Sequence, residues 1–152
     1  KINGHAIELR IYAEDPFDNI TPSINTLETY HLPKGDGIRV DNGYVEGDTI
    51  PIYYDPMLAK LTVHADTRNG AIEKMLSAIQ QYDIKGIAST LDFGAFVMKH
   101  PDFVSGKFDT NFVSKNWNPE TIKMSLEEEA EVAACLAQYL LSDSDAKLVV
   151  PK

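Results

Sequence analysis

The chain opens its first regular element with HAIELRIYAEDP, residues 5–16, in which apolar and polar side chains alternate. Positions 7, 9 and 11 are apolar, whereas the even-numbered positions hold Glu8, Arg10 and Tyr12. Strict alternation predicts a half-buried strand, because successive side chains of an extended chain point to opposite faces. Asp15-Pro16 then ends the strand in a turn. We therefore expect Arg10 to project away from the core side of this strand.

Four further segments read as short strands, because β-forming residues are bounded by turn residues. They are residues 26–32, 37–40, 49–53 and 59–65. Such a succession predicts an antiparallel β-sheet meander.

Helices are predicted after Asp66, where apolar residues begin to recur every three or four positions. The first runs to Tyr82 with Thr67 or Asn69 as its cap, and the second runs from about residue 89 to His100. The fold class is therefore α+β, with the meander followed by packed helices.

An extra C-terminal helix is predicted from Asn118-Pro119-Glu120, which offers a cap, a proline at the first helical position and an early acid. It continues to about Leu141, with the acids of residues 127–131 on its solvated side. We expect residues 1–118 to form one domain. Residues 119–152 are expected to be an acidic helix and linker that starts a following region.

The bulk composition excludes several classes of protein. The chain has 152 residues and a net charge of −9, and its 14 basic residues are not clustered, which argues against nucleic-acid binding. No segment approaches the roughly 20 consecutive apolar residues that a membrane helix needs. Both ends, at Lys1 and in the apolar run around Val150, look like parts of a longer protein. The single Cys135 fits a reducing compartment and is expected to be buried as a small apolar side chain.

The residues by themselves indicate no complete catalytic site. The four histidines lack the spacing of a zinc site, and no phosphate-binding loop or nucleophile elbow is present. Arg10 lies among carboxylates, so it is either a structural ion pair, which the spacing favours, or an oriented group that stabilises an anion. In YYDPM, residues 53–57, two tyrosines and Asp55 meet a proline turn, and both a packed turn and a site stay open.

Taken together, these motifs resemble the C-terminal domain of biotin carboxylases, the part that follows the ATP-grasp fold. The segment GHAIELRIYAEDP resembles the entry strand of that domain. GIRVD (37–41), YYDPM (53–57) and IKGI (84–87) follow in the family's order. Tyr12 and the ending GKFDTNF (106–112) are most similar to α subunits of propionyl-CoA carboxylase, and methylcrotonyl-CoA carboxylase is similar too.

The resemblance implies an ATP-dependent carbon–nitrogen ligase in which bicarbonate is used to carboxylate biotin held on a carrier domain. It implies that Arg10 is catalytic, since a fixed guanidinium stabilises the negative charge left on the ureido oxygen when biotin loses a proton. Asp55 is implied to line the biotin pocket with Arg10, and Arg39 to lie at a possible dimer interface. ATP and Mg are implied to bind the ATP-grasp part. We therefore expect no cofactor-binding or metal site in this fragment, and no activity from it alone.

The resemblance also implies a set of partners. These are the upstream ATP-grasp domain of the same chain, a biotin carrier domain, a carboxyltransferase subunit and further copies of the parent in a homo-oligomer. Neither nucleic acid nor a membrane is expected, and the compartment is the bacterial cytoplasm or the mitochondrial matrix. The alternatives are the same domain of an acetyl-CoA, methylcrotonyl-CoA or pyruvate carboxylase, or a non-catalytic acidic interaction module that docks through the helix from Pro119.

Overall fold

The structure is a computed structural model that describes residues 1–145, with the backbone alone for residues 125–129 and 140–145. The chain divides into two compact units, Lys1–Asn111 and the residues from Phe112 onward. The domain boundary expected after residue 118 stays a prediction.

The first unit mixes short strands with helices. In chain order its elements are β1 (His5–Tyr12), β2 (Glu14–Asp15), β3 (Thr21–Pro22), β4 (Thr29–His31), β5 (Ile38–Asn42), β6 (Met57–Ala65), α1 (Arg68–Gln81), β7 (Asp83–Lys85), α2 (Leu91–Lys99) and α3 (Pro101–Ser105). All the strand pairs are antiparallel, so the predicted α+β class with antiparallel strands is confirmed.

The main sheet has three strands in the order β1-β6-β5. Strands β5 and β6 are neighbours in sequence, whereas β1 reaches β6 across more than 40 intervening residues. Directly opposed residues of antiparallel strands project to the same side, so the register decides which side chains share a face. Leu9, Leu61 and Val40 form one row across the core face.

The core lies between this face and the helices. Helix α1 packs on β6 and β1, and α2 packs on α1. The strands contribute Ile7, Ile11, Leu61 and Val63, and α1 contributes Ala71, Ile72, Met75, Ala78 and Ile79. Burial of each large apolar side chain stabilises the fold by roughly 1.5–3 kcal/mol before the entropy of ordering is subtracted. The alternation that predicted β1 is therefore confirmed by burial on one side.

Both predicted helices of this unit are confirmed. The side chain of Thr67 caps α1 by accepting a hydrogen bond from the backbone N–H of Gly70 at 3.1 Å. Helix α2 ends at Lys99, and Pro101 begins the short helix α3. Proline suits that place because the first helical residue needs no N–H partner.

Two strand predictions are wrong in extent. The segment 49–53 forms only an isolated bridge from Thr49 to Thr26 before it turns, and the run 26–32 is a strand only in β4. Residues 83–85 form the additional short strand β7, which pairs with β4. Gly86 ends that strand at φ +92°, where a Cβ would lie 2.2 Å from the carbonyl oxygen of Thr26.

The second unit holds α4 (Phe112–Asn116) and α5 (Pro119–Asp145). Helix α5 starts as predicted, with the Asn118 side chain accepting from the N–H of Thr121 at 3.2 Å. The prediction that Cys135 is buried is wrong: it is exposed, because the described side chains of this part of α5 face solvent instead of a core. No described helix is long and apolar enough to cross a membrane.

Candidate functional site

The second face of the main sheet carries charged side chains. Two adjacent rows cross all three strands on this side, Arg10-Lys60-Asp41 and Glu8-Thr62-Arg39. The two candidate arginines therefore share one face, although they belong to the two outer strands. We refer to these six residues as the charged face.

Arg10 is exposed and oriented by its own strand. Its side chain is 59% exposed, and its Nε lies 3.4 Å from Oε1 of Glu8, two residues away on the same face. Hydrogen bonding to Tyr12 and then to Glu8 raises the pKa of the Arg10 guanidinium. An exposed ion pair adds little to stability. The ion pair with Glu8 orients the permanently charged guanidinium of Arg10 while most of that side chain stays accessible.

Asp55 lies at the end of β1 that holds Tyr12. Its Oδ1 accepts a hydrogen bond from the N–H of Met57 at 3.0 Å, which fixes the turn into β6. The N–H of Ala13 donates to the carbonyl of Pro56 at 2.9 Å, so the turn is attached to the end of β1. Burial raises the pKa of Glu14, and the neighbouring charge of Asp55 raises it further. The structure thus brings Asp55 beside a second carboxyl group.

Arg39 occupies the opposite edge of the charged face. Its Nε lies 3.0 Å from Oδ2 of Asp41, and its side chain is 71% exposed. A cleft of about 270 Å³ adjoins Asp41 and Lys60 at the end of β5 and β6, and is lined by residues 41–43 and 57–60. Arg39 and Arg10 are thus accessible cations on the two outer strands of one sheet.

The sequence indicated no functional role for two residues of this region. Lys60 stands between Arg10 and Asp41 in the middle strand, where only the strand register could place it. Oγ1 of Thr62 is buried and has no hydrogen-bond partner among the described residues. A threonine in a β-strand is ordinary, so no sequence signal pointed to it.

The described residues contain no group of three or more His, Cys, Asp or Glu side chains that could hold a metal ion. The charged face offers guanidinium and ammonium groups, which suit an anionic oxygen better than a cation. The donor set therefore fits a ligand that carries or develops negative charge.

The fold and the motifs define the class of protein. The sequence profile of the biotin carboxylase C-terminal domain matches residues 8–115, and the chain belongs to this family. The resemblance and the fold expected from it are confirmed.

Similar proteins come from several carboxylases. A biotin carboxylase of Halalkalibacterium halodurans is 42% identical over 79% of this chain and 26% of its own length. The propionyl-CoA carboxylase alpha chain of Ruegeria pomeroyi is 39% identical over 77% of this chain and 20% of its own. The solved biotin carboxylase domain dimer of the Hydrogenobacter thermophilus 2-oxoglutarate carboxylase, in complex with MgADP, ADP and bicarbonate, is 42% identical with a TM-score of 0.74. That match covers 76% of this chain and 25% of the solved one.

The chain spans about a quarter or less of the length of these relatives. A methylcrotonoyl-CoA carboxylase subunit of Mus musculus and a pyruvate carboxylase biotin carboxylase subunit are similar as well. The comparisons therefore identify a shared carboxylase domain and leave open to which carboxylase it belongs.

Proposed function

We propose that this chain is the C-terminal part of the biotin carboxylase component of an acyl-CoA carboxylase, and that its charged face completes the biotin site. The observation that carries the proposal is Arg10, an exposed guanidinium held by Glu8 on a strand whose other face is buried. Among the carboxylases, we favour a propionyl-CoA carboxylase α subunit, which the motifs around Tyr12 and residues 106–112 support.

Biotin supplies a ureido group whose nitrogen is carboxylated and whose oxygen gains negative charge when the nitrogen loses its proton. In our proposal, Arg10 donates hydrogen bonds to that oxygen. A preorganised cation lowers the barrier because it needs no reorganisation when the charge develops. Glu8 accepts from Nε, so it does not use the N–H donors of the two terminal nitrogens.

Asp55 has a supporting role in this proposal. Its Oδ1 is engaged by Met57, which leaves Oδ2 to accept a ureido N–H. Arg39, on the opposite edge of the charged face, is proposed as a contact to a second copy of the parent protein. Two observations support this contact: the Arg39 side chain is accessible, and its ion pair with Asp41 on the same strand orients the guanidinium.

We propose that ATP and Mg bind an ATP-grasp part of the parent protein. Two facts support this: the chain has no phosphate-binding loop, and its relatives are at least about three times as long. The biotin carrier domain and the carboxyltransferase subunit are further proposed partners. This fragment is then one wall of an active site, and we expect it to be inactive alone. The relatives are bacterial and mitochondrial, in line with the proposed compartments.

The test is bicarbonate-dependent ATP turnover by the full parent protein with free biotin, comparing the wild type with Arg10→Gln. We expect biotin-dependent turnover to fall on the order of 10²–10³-fold, as it does when one preorganised donor is removed. The melting temperature should be unchanged, because the Arg10–Glu8 pair is exposed.

Lys99→Gln is the matched control, since it also removes one positive charge, but from the exposed end of α2. Near-normal turnover in Arg10→Gln would contradict the proposed role of Arg10. A folded wild-type parent with no response to biotin would instead favour the non-catalytic interaction module.

A further inference from the structure

Thr90 contacts the backbone of β1 on both sides of Arg10's neighbour Ile11. Its hydroxyl accepts a hydrogen bond from the N–H of Tyr12 at 3.0 Å and donates one to the carbonyl of Arg10 at 3.4 Å. Its own N–H donates to the carbonyl of Tyr12 at 3.1 Å. Strand β1 is an outer strand of its sheet, so Thr90 supplies the hydrogen bonds that a further strand would make along this stretch.

The Thr90 hydroxyl does not cap the helix that follows it. Thr90 immediately precedes α2, where a threonine normally caps the helix by accepting from an N–H two or three residues on. It makes no such bond, whereas Thr67 at the same place before α1 does. Thr90 is also 8% exposed, a buried polar residue within the described part of the chain. The Thr90 hydroxyl therefore forms its hydrogen bonds with β1 and does not cap α2.

The pairing of β1 with β6 changes register at the segment that Thr90 contacts. The pairing of β1 with β6 shifts between Ile11 and Tyr12: Ile11 lies opposite Ala59, and Tyr12 lies opposite Met57. A bulge changes the local twist and the direction of nearby side chains. The pairing shifts there by one residue of β6, Leu58, and Thr90 holds the other edge of β1 at the same place.

Close packing holds Thr90 in place. Gly94, one turn into α2, donates its N–H to the carbonyl of Thr90 at 2.9 Å. A Cβ at Gly94 would lie 2.6 Å from Cδ2 of Leu9. The glycine thus lets the first turn of α2 approach β1 closely enough for the Thr90 hydroxyl to reach the strand.

We propose that Thr90 is a positioning residue for Arg10, fixing the direction of the guanidinium through the backbone of β1 at residues 10 and 12. The inference rests on the proposed function of Arg10. Thr90 lies outside the charged face, at the start of α2, yet in this proposal it contributes to carboxylation. Thr90 itself touches no reacting group in this account.

The experiment measures the biotin-dependent kcat of the full parent protein for Thr90→Val, Thr90→Ser, Arg10→Gln and the double variant Arg10→Gln/Thr90→Val. Thr90→Val keeps the shape of the side chain and removes the hydroxyl, and we expect a loss of about 10-fold, since small misplacements of a catalytic group are costly. Thr90→Ser keeps the hydroxyl and should stay within about threefold of the wild type. Thr90→Val should add no further loss to Arg10→Gln, because its effect passes through Arg10.

Thr67→Val is the control for general destabilisation, because it removes the capping hydroxyl of α1 and should lower the melting temperature without lowering the biotin-dependent kcat. If Thr90→Val does not fold, Thr90→Ala takes its place.

Wild-type turnover in Thr90→Val, or losses that multiply with those of Arg10→Gln, would overturn the positioning role while leaving that of Arg10 intact. Wild-type turnover in Arg10→Gln would overturn both, so the two failures are distinguishable.

Discussion

The two faces of the three-stranded sheet differ in chemistry although they are built from the same strands. Leu61 and Thr62 are neighbours on β6 and point to opposite sides, Leu61 into the core and Thr62 into the charged face. Leu61 is fully buried among apolar side chains. The row through Thr62 joins Glu8 to Arg39. One side therefore stabilises the fold, and the other presents cations at fixed positions.

This difference predicts that substitutions on the two faces have different effects on stability and on activity. Changes on the core face should reduce stability and affect activity only through unfolding. Changes on the charged face should leave stability nearly unchanged, or raise it, and affect function directly. Leu61 and Thr62, one on each face of β6, test that separation, and a smaller effect is expected at Glu14 in β2.

Leu61→Ala should lower the free energy of unfolding by about 3 kcal/mol, because it removes buried contacts and leaves a cavity. Urea denaturation of the chain, followed by circular dichroism, measures the change. Leu61→Met, which keeps most of the volume, is the control and should cost less than about 1.5 kcal/mol. A loss below about 1 kcal/mol for Leu61→Ala would mean that this face is not the main core.

Thr62→Val should raise the free energy of unfolding by on the order of 1 kcal/mol. The buried Oγ1 has no hydrogen-bond partner among the described residues, and valine has nearly the same shape. The same urea titration measures it, with Thr62→Ser as the control that keeps the hydroxyl. Destabilisation by Thr62→Val would show that this oxygen has a partner, and the contrast between the two sides of β6 would then weaken.

Glu14→Gln should raise the melting temperature slightly at pH 7 and less at pH 4. Burial, and then the charge of Asp55, raise the pKa of Glu14 above its ordinary value. The folded chain therefore holds this proton more tightly than the unfolded chain. Stability from this group is present below the ordinary pKa of glutamate, about 4.3, and is lost as the pH rises through the folded pKa.

Melting curves at the two pH values give the comparison for Glu14→Gln. Glu73→Gln, an exposed carboxylate on α1, controls for the loss of a surface charge. An equal difference from the wild type at both pH values would contradict the cause assigned to Glu14.

The sequence predicted β1, α1 and α2 of the first unit well, because alternation and capping are local signals. HAIELRIYAEDP also predicted the side to which Arg10 points, since side-chain direction in a strand has a period of two. The same reasoning predicted a strand at residues 49–53, where the structure has none. These residues favour extended structure, but a strand needs a partner, and only Thr49 finds one. Cys135 was misjudged because an apolar residue is buried only where another element covers it, and α5 is exposed there.

The candidate site was predictable one residue at a time and not as an arrangement. Family motifs pointed to Arg10, Arg39 and Asp55, whose roles stay proposals, and each lies in a separate segment of the chain. Nothing in those segments predicted that β6 would insert between β1 and β5 and place Lys60 beside Arg10. Nor could Thr90 be distinguished from an ordinary helix cap before the structure showed where its hydroxyl points.

By itself, the sequence determined the local elements, the face on which Arg10 lies and the family to which the chain is similar. These depend on residues close together in the sequence, where the spacing of apolar side chains and the turn residues can be read directly. Only the tertiary structure decided which strands pair, which charged residues share a row and which residue fixes β1 beside Arg10. Those features depend on contacts between segments up to 80 residues apart, and such contacts follow from packing the whole core at once.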